Sequence, residues 1–377
     1  MENFEIYNPV KAYFGQQVII NLSREVLRHG KRVLLVYGKG SIKKNGIYDA
    51  VMEQLKDAEV FEYSGIKPNP VIEDVREAVL LGKEHAVDVV LAVGGGSVID
   101  SAKVISIGIA GDDDPWDYIK GIKTPMGGVP LIAVLTLAAT GTEMNRFAVV
   151  QNPETREKLG FRCRYIYPRA SFLDPSYTIS VPADYTAFGI VDLIAHAMEA
   201  YFGKGDASLS DRFVFSIIRE AIEYGPQLMN DPGNYNLRAR IMYAASMALN
   251  NLTMYGRESG DWGAHAIGHV LSVLYDIPHG ASLSIAYPAW LKLHKDRAGD
   301  RILKLGENLF CVSGTDETIK AMEDFFTELT SPVRITQTSY GQYNKEEILS
   351  VMTNNGIGGM HHKLSEEDYH HLVELMW

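Results

Sequence analysis

Two segments of the chain carry the side chains best suited to metal chemistry. In GIVDLIAHAMEAYF (189–202), Asp192 and His196 stand four residues apart within an apolar pattern of helical period, so both fall on one helix face. In DWGAHAIGHVLSVLYDIPHG (261–280), His265 and His269 repeat that spacing, and His279 follows between Pro278 and Gly280. One carboxylate with imidazoles from two or three segments is a donor set for a divalent transition metal. An Asp and three His on faces that read as core-facing are costly to bury unless something pairs with them. Spacing leaves open which of His265 and His269 is a ligand. A zinc protease of the H-E-x-x-H type is disfavoured, because Ala266 stands where that chemistry needs a glutamate base.

These segments lie in a half of the chain that reads as helical throughout. From PADYTAFG (182–189) to SEEDYHHLVELMW (365–377), apolar residues recur at three-to-four spacing and strand-like alternation is almost absent. Before residue 181 the pattern is different. VLLVYG (33–38), VFEYSGI (60–66), DVVLAVGG (88–95) and PLIAVLTLA (130–138) read as buried strands separated by helical runs, the signature of a parallel sheet with helical crossovers. AVVQ, FRCRYIY and ASFLD (148–174) predict further β-structure closing that domain. The expectation is an α/β domain over 1–180 and an all-helical domain over 181–377.

Composition bounds the partners. The 377 residues carry 36 Lys and Arg against 47 Asp and Glu, a formal charge of −11, which argues against nucleic acid or an anionic membrane. With 46% hydrophobic residues there is material for two large cores, as the length requires. Cys163 and Cys311 form no CxxC spacing, no secretory signal is visible at the start, and no apolar run is long enough to span a membrane. A cytoplasmic protein is expected.

AVGGGSVIDSAK (92–103) sits where a strand gives way to a helix. Glycines there let backbone approach a ligand closely, and the helix start offers free N–H groups to a phosphate. The run matches neither G-x-G-x-x-G nor the P-loop. A phosphate turn in one half and metal ligands in the other predict a cleft where cofactor meets metal.

Together these residues resemble the iron-containing (group III) alcohol dehydrogenases, on the dehydroquinate synthase-like fold. The resemblance runs nearly end to end, through the NPV start, GGGSVIDSAK, TLAATGTE, FLDPSYTISVP, the D-x-x-x-H and H-x-x-x-H pairs, P-H-G and GIGGMHHKLSEEDY. DWGAHAIGH is similar to the NADPH-dependent butanol dehydrogenase and broad aldehyde reductase branch. The resemblance implies Asp192, His196, His265 and His279 as metal ligands and His269 as a proton-handling residue near the nicotinamide. It implies Gly95, Gly96, Ser97 and Asp100 around the pyrophosphate and ribose. Thr136, Leu137 and Thr140 would line the phosphate and nicotinamide region, with Asn69 on the ribose side. It implies Fe(II), with Zn(II) as the alternative, a small aldehyde or alcohol as substrate, and a homodimer.

Cofactor choice has a physical handle. An enzyme preferring NADH places a carboxylate on the adenosine ribose hydroxyl, and that charge repels a 2′-phosphate. In the family that position comes after the first strand. Here Tyr37–Lys44 contains no carboxylate, and Gly38, Ser41, the neighbouring lysines and Lys158 resemble the phosphate-accepting version. NADPH is therefore expected over NADH. Met254, Tyr255, Trp262 and Phe147 suggest an apolar substrate pocket. The competing readings are a glycerol-type polyol dehydrogenase, a dehydroquinate synthase-like lyase, which needs a more basic pocket and a Glu in place of Asp192, and a non-catalytic nucleotide-binding protein. Arg146 has no assigned role.

Overall fold

Short β-branched runs that end in glycine or a turn build the first half of the chain. In the computed structural model, which describes residues 1–377, they are β1 (Lys11–Phe14), β2 (Arg32–Tyr37), β3 (Glu59–Ser64), β4 (Val89–Gly94), β5 (Leu131–Leu135) and, after a hairpin, β8 (Ala170–Leu173). These six form a wholly parallel sheet in the order β1-β8-β5-β4-β2-β3. Every residue of β4 and β5 is buried, as parallel strands covered on both faces require. The hairpin, β6 (Phe147–Asn152) with β7 (Glu157–Arg162), is antiparallel and separate from that sheet. The helices here are α1 (Leu22–Leu27), α2 (Ser41–Lys44), α3 (Ile47–Gln54), α4 (Ile72–Glu84), α5 (Gly96–Ala110) and α6 (Pro115–Ile119). One face of the sheet packs Val33, Leu35, Leu91, Val93 and Val134 against Leu22, Val26, Ile47 and Val51.

The strand order explains where a ligand belongs. From β2 the chain crosses to β3 on one side and then to β4 on the other, so the order reverses between β2 and β4. Open α/β sheets bind ligands beyond the carboxyl ends of the strands at such a reversal. Here those ends are Tyr37–Gly38 and Gly94–Gly96.

The remaining helices form the second half: α7 (Ala183–Tyr201), α8 (Ser208–Asn230), α9 (Tyr235–Ala248), α10 (Gly263–Tyr275), α11 (His279–Leu293), α12 (Gly299–Leu309), α13 (Thr315–Glu328), α14 (Lys345–Asn354) and α15 (Glu366–Met376). Pro182 immediately precedes α7, where its fixed φ suits a helix start. Helix α7 is buried along nearly its whole length and touches α8, α9, α10 and α11, which makes it the axis of this unit. Contacts divide the chain into Tyr7–Val181 and a helical unit of Pro182–Trp377 with Met1–Ile6. Those first six residues fall with the helices because Glu2 N–H donates to the Gly256 carbonyl at 2.9 Å and Phe4 stacks on Tyr255 at 5.4 Å.

One local reading changes, and two details are added. The FRCRYIY run is not one strand: β7 ends at Arg162, and Arg164–Ile166 is a tight helical turn. Lys11–Phe14 pair as an edge strand, which hydrophobicity does not mark because three of the four residues are exposed. His279, between Pro278 and Gly280, is the first residue of α11. No helix is long and apolar enough to cross a membrane.

The contact between α7 and α11 has no slack. A Cβ on Gly280 would lie 2.1 Å from the Phe188 carbonyl oxygen, a backbone atom four residues before Asp192. Gly280→Ala is expected to destabilise the protein by about 3 kcal/mol, the upper range for overpacking, read from denaturant unfolding. An unchanged midpoint would show that the two helices have room to separate.

Candidate metal centre and nucleotide turn

Three elements deliver the ligand candidates. Asp192 and His196 lie one turn apart on α7, His265 lies in the first turn of α10, and His279 opens α11. Asp192 is 2% exposed, yet its Oδ1 has no hydrogen-bond partner. Around that oxygen stand His196 Nδ1 at 3.5 Å, His279 Nε2 at 3.6 Å and His265 Nε2 at 3.8 Å. His196 Nδ1 and His265 Nε2 are likewise buried without a hydrogen-bond partner. Ligands about 2.1 Å from a tetrahedral ion lie about 3.4 Å from one another, so these separations suit a shared ion better than direct hydrogen bonds. The ligand atoms of Asp192, His265 and His279 all lie within 4.8 Å of one another. His196 stands outside that tighter trio, with its ring stacked on His265 at 4.7 Å between centroids. The donor set, one carboxylate oxygen and imidazole nitrogens, fits a divalent transition metal.

Charge points the same way. Burial pushes His196 down to about 4, against the pull of Asp192. Burial also opposes a charged His265, but the carboxylates of Asp192 and Glu199 outweigh it and push that group up to about 9. Asp192 and Glu199 thus favour positive charge next to His265 in a buried cage.

Glu199, not anticipated from the sequence, is the second carboxylate. It follows Asp192 by seven residues and His196 by three, so it continues the same face of α7. Its Oε1 accepts from His265 Nδ1 at 2.8 Å and from the His265 backbone N–H at 3.0 Å, and its Oε2 accepts from the Trp262 backbone N–H. Asp261, fully buried, is pushed up to about 6 by burial and by Glu199. It accepts from the backbone N–H groups of Gly263 at 3.1 Å, His361 at 3.1 Å and His362 at 2.7 Å, tying down the GIGGMHH turn. Trp262 lies edge-on to His265 at 5.4 Å, beside the cage. Tyr255 stacks on Phe4. His269 lies one turn beyond His265, its ring 5.3 Å from that of His279.

In the α/β unit, the glycine turn and the TLAATGTE loop are in contact. A Cβ on Gly96 would lie 2.5 Å from Thr140 Cγ2, and one on Gly95 would lie 3.1 Å from Leu137 Cβ. The Thr136 N–H donates to the Gly94 carbonyl at 3.0 Å. Such contacts leave little room for a side chain at Gly95 or Gly96, at the start of α5, where a helix N-terminus offers N–H groups to a phosphate. Ser97 donates to the Pro68 carbonyl, and next to it Asn69 Oδ1 accepts from the buried Lys158 Nζ at 2.8 Å. Gly38 leaves β2 beside Val98 of α5, and Ser41 opens α2 after Gly40, whose φ is 97°. Asp100 is directed inward: its oxygens accept from Thr142 Oγ1 at 2.5 Å and from the Val149 N–H at 2.9 Å. Lys103, fully buried and likewise unanticipated, donates to Thr142 Oγ1, Asn145 Oδ1 and the Phe147 carbonyl at 2.7, 3.0 and 2.6 Å. Burial pulls it down to about 7, although its three acceptors match the three protons of an ammonium. Asp100 and Lys103 brace the loop that meets the glycine turn.

The geometry has counterparts among known proteins. The family model described as iron-containing alcohol dehydrogenase matches residues 9–175, and that of the family's C-terminal part matches 186–374. The chain is 40% identical to the probable NADH-dependent butanol dehydrogenase 2 of Bacillus subtilis, over 98% of both chains. It is 36% identical to the NADPH-dependent aldehyde reductase YqhD of Escherichia coli, over 95% of this chain and 94% of that one. The crystal structure of an NADH-dependent butanol dehydrogenase A from Thermotoga maritima superimposes with a TM-score of 0.96 at 36% identity, covering 100% of this chain and 99% of the other.

Gly96→Ala puts a methyl group into Thr140. It is expected to weaken NADPH binding about tenfold or more while leaving metal content unchanged, read by fluorescence titration and metal analysis. Unaltered nucleotide affinity would remove the glycine turn from the binding site.

Proposed function

The chain belongs to the iron-containing alcohol dehydrogenase family, and on that premise we propose a metal-dependent, NADPH-preferring enzyme that works mainly as an aldehyde reductase on short-to-medium primary substrates. The observation that carries the reading is the ring of imidazole nitrogens around the buried, unpartnered Asp192 Oδ1. Relatives whose names specify butanol dehydrogenase and aldehyde reductase activity support the substrate class.

Asp192, His196, His265 and His279 would hold the ion, proposed as Fe(II) on the family's character. When bound, the ion would supply Lewis-acid polarisation of a carbonyl and the nicotinamide a hydride. The residues supply the rest. With the ion bound, Asp192 would lower the net charge of the site without removing its electrophilic character, because imidazoles ligate in their neutral form. Trp262 and the buried helix faces keep the cage dry, which strengthens electrostatic interactions inside it. His269, with its ring 5.3 Å from that of His279 and outside the ligand trio, is the residue that would hand a proton to the reduced substrate oxygen. Gly95, Gly96, Ser97, Leu137 and Thr140 would bind the pyrophosphate side of the nucleotide, with Asn69 and Lys158 on the ribose side.

The NADPH preference rests on the segment after β2. Tyr37–Lys44 has no carboxylate, and Ser41 starts a helix after a left-handed glycine. The nearest carboxylate on the adjacent strand, Glu62, accepts from the Tyr37 and Tyr48 hydroxyls at 2.6 Å each and pairs with Lys43 at 3.4 Å. Its charge is shared among Tyr37, Tyr48 and Lys43, which leaves Lys39 and Lys44 as the lysines of the segment that do not pair with it. Relatives carry both NADH and NADPH names, so the proposed preference rests on these residues alone. A homodimer is proposed as the working form, with the single-neighbour strand β1 as an available edge.

Metal-stripped protein re-supplied with Fe(II) under anaerobic conditions is expected to reduce butanal, with a higher kcat/KM for NADPH than for NADH. A better rate with NADH would overturn the cofactor assignment, and no rate with either, in folded and loaded protein, would overturn the enzyme reading. His269→Ala is expected to lower kcat about 100-fold with iron content retained. Loss of the metal in that variant would make His269 a ligand instead.

A further inference from the structure

Glu199 has a role that its position as a buried helix residue does not explain. It is 1% exposed, and a carboxylate this deep needs hydrogen-bond donors on both oxygens. The structure supplies three from one neighbourhood. Oε1 takes two N–H groups of the same residue, His265, one from the ring at 2.8 Å and one from the backbone at 3.0 Å, and Oε2 takes the Trp262 N–H. Because a carboxylate only accepts, the ring proton must be on Nδ1, which leaves Nε2 to face Asp192 Oδ1 at 3.8 Å. Trp262 meanwhile holds a left-handed backbone at φ 66° just before α10, a strained conformation for a non-glycine residue. One side chain thus fixes where α10 begins, which way the His265 ring points and which nitrogen is free.

We propose that Glu199 is the positioning residue of the metal centre: from α7, the helix that carries Asp192 and His196, it sets the ring orientation and tautomer of His265 on α10 and so sets the affinity for the ion. The inference rests on the metal reading of the cage. Carboxylates that orient a ligating histidine in this way typically change metal affinity about 10- to 100-fold when removed. Gln in this position is isosteric and keeps one oxygen for His265. It loses the charge and turns an NH₂ group toward either the Trp262 or the His265 donor.

The test uses the full chain, stripped of metal and titrated with Co(II) against a competing chelator, in the native form and as Glu199→Gln. Native protein is expected to bind one Co(II), the variant about 10- to 100-fold more weakly, and both to bind NADPH equally. A purely structural role predicts a lower unfolding midpoint for the variant with Co(II) affinity within about threefold of native, and that result overturns the inference. Failure of the native protein to bind Co(II) would instead overturn the metal reading beneath it. If the variant does not fold, ¹⁵N-histidine spectra of the native Zn(II)-loaded protein decide the matter. An exchange-protected Nδ1 proton on a His265 bound through Nε2 is expected, and ligation through Nδ1 would overturn the proposal.

Discussion

A negatively charged oxygen buried without a hydrogen bond is among the most expensive features a folded chain can carry. Asp192 Oδ1 is such an atom, and the helical unit is arranged around it. Helix α7 buries it, α10 and α11 each bring one imidazole to within 3.8 Å, and the only positive charge the cage itself can offer is a proton on a histidine. Close helix contacts enforce the approach, most plainly where Gly280 lets α11 rest on the α7 backbone. The same helix carries Glu199, so the position of α10 is tied to the group it must face. Such an arrangement fits a cation shared among these side chains.

The α/β unit solves a different problem. A parallel sheet covered on both faces leaves only its strand ends open, and the reversal between β2 and β4 selects which ends. There the need is for backbone without side chains, and Gly95 and Gly96 provide it by packing against Leu137 and Thr140. Stiffness comes from behind: Asp100 and Lys103 on α5 bond to the loop containing Thr142 and to β6. Glycine permissiveness and a buried polar brace together keep the turn both bare and fixed.

Much of this was legible in the residues. Alternating strands and helices, the change of character near residue 181, and the i, i+4 pairs of Asp192 with His196 and His265 with His269 are local patterns, and local patterns survive without a structure. Partnerships set by tertiary approach did not. Glu199 read as one more polar residue on a helix until α10 met it. Asn69 and Lys158 joined only when residues 89 positions apart came within 2.8 Å. The lysine run after β2 read as open positive charge, whereas Lys43 pairs with Glu62 on the next strand. Strand β1 carries no apolar pattern, because its pairing is made by backbone with little apolar burial.

The central claim is that one ion unites Asp192, His196, His265 and His279. Anomalous diffraction at the iron edge, from crystals of Fe(II)-loaded protein, tests it most directly. A single strong peak within coordination distance of all four side chains is expected, with the His196 ring turned to join the trio. Iron bound elsewhere, or a loaded protein whose four residues surround no metal, would contradict it.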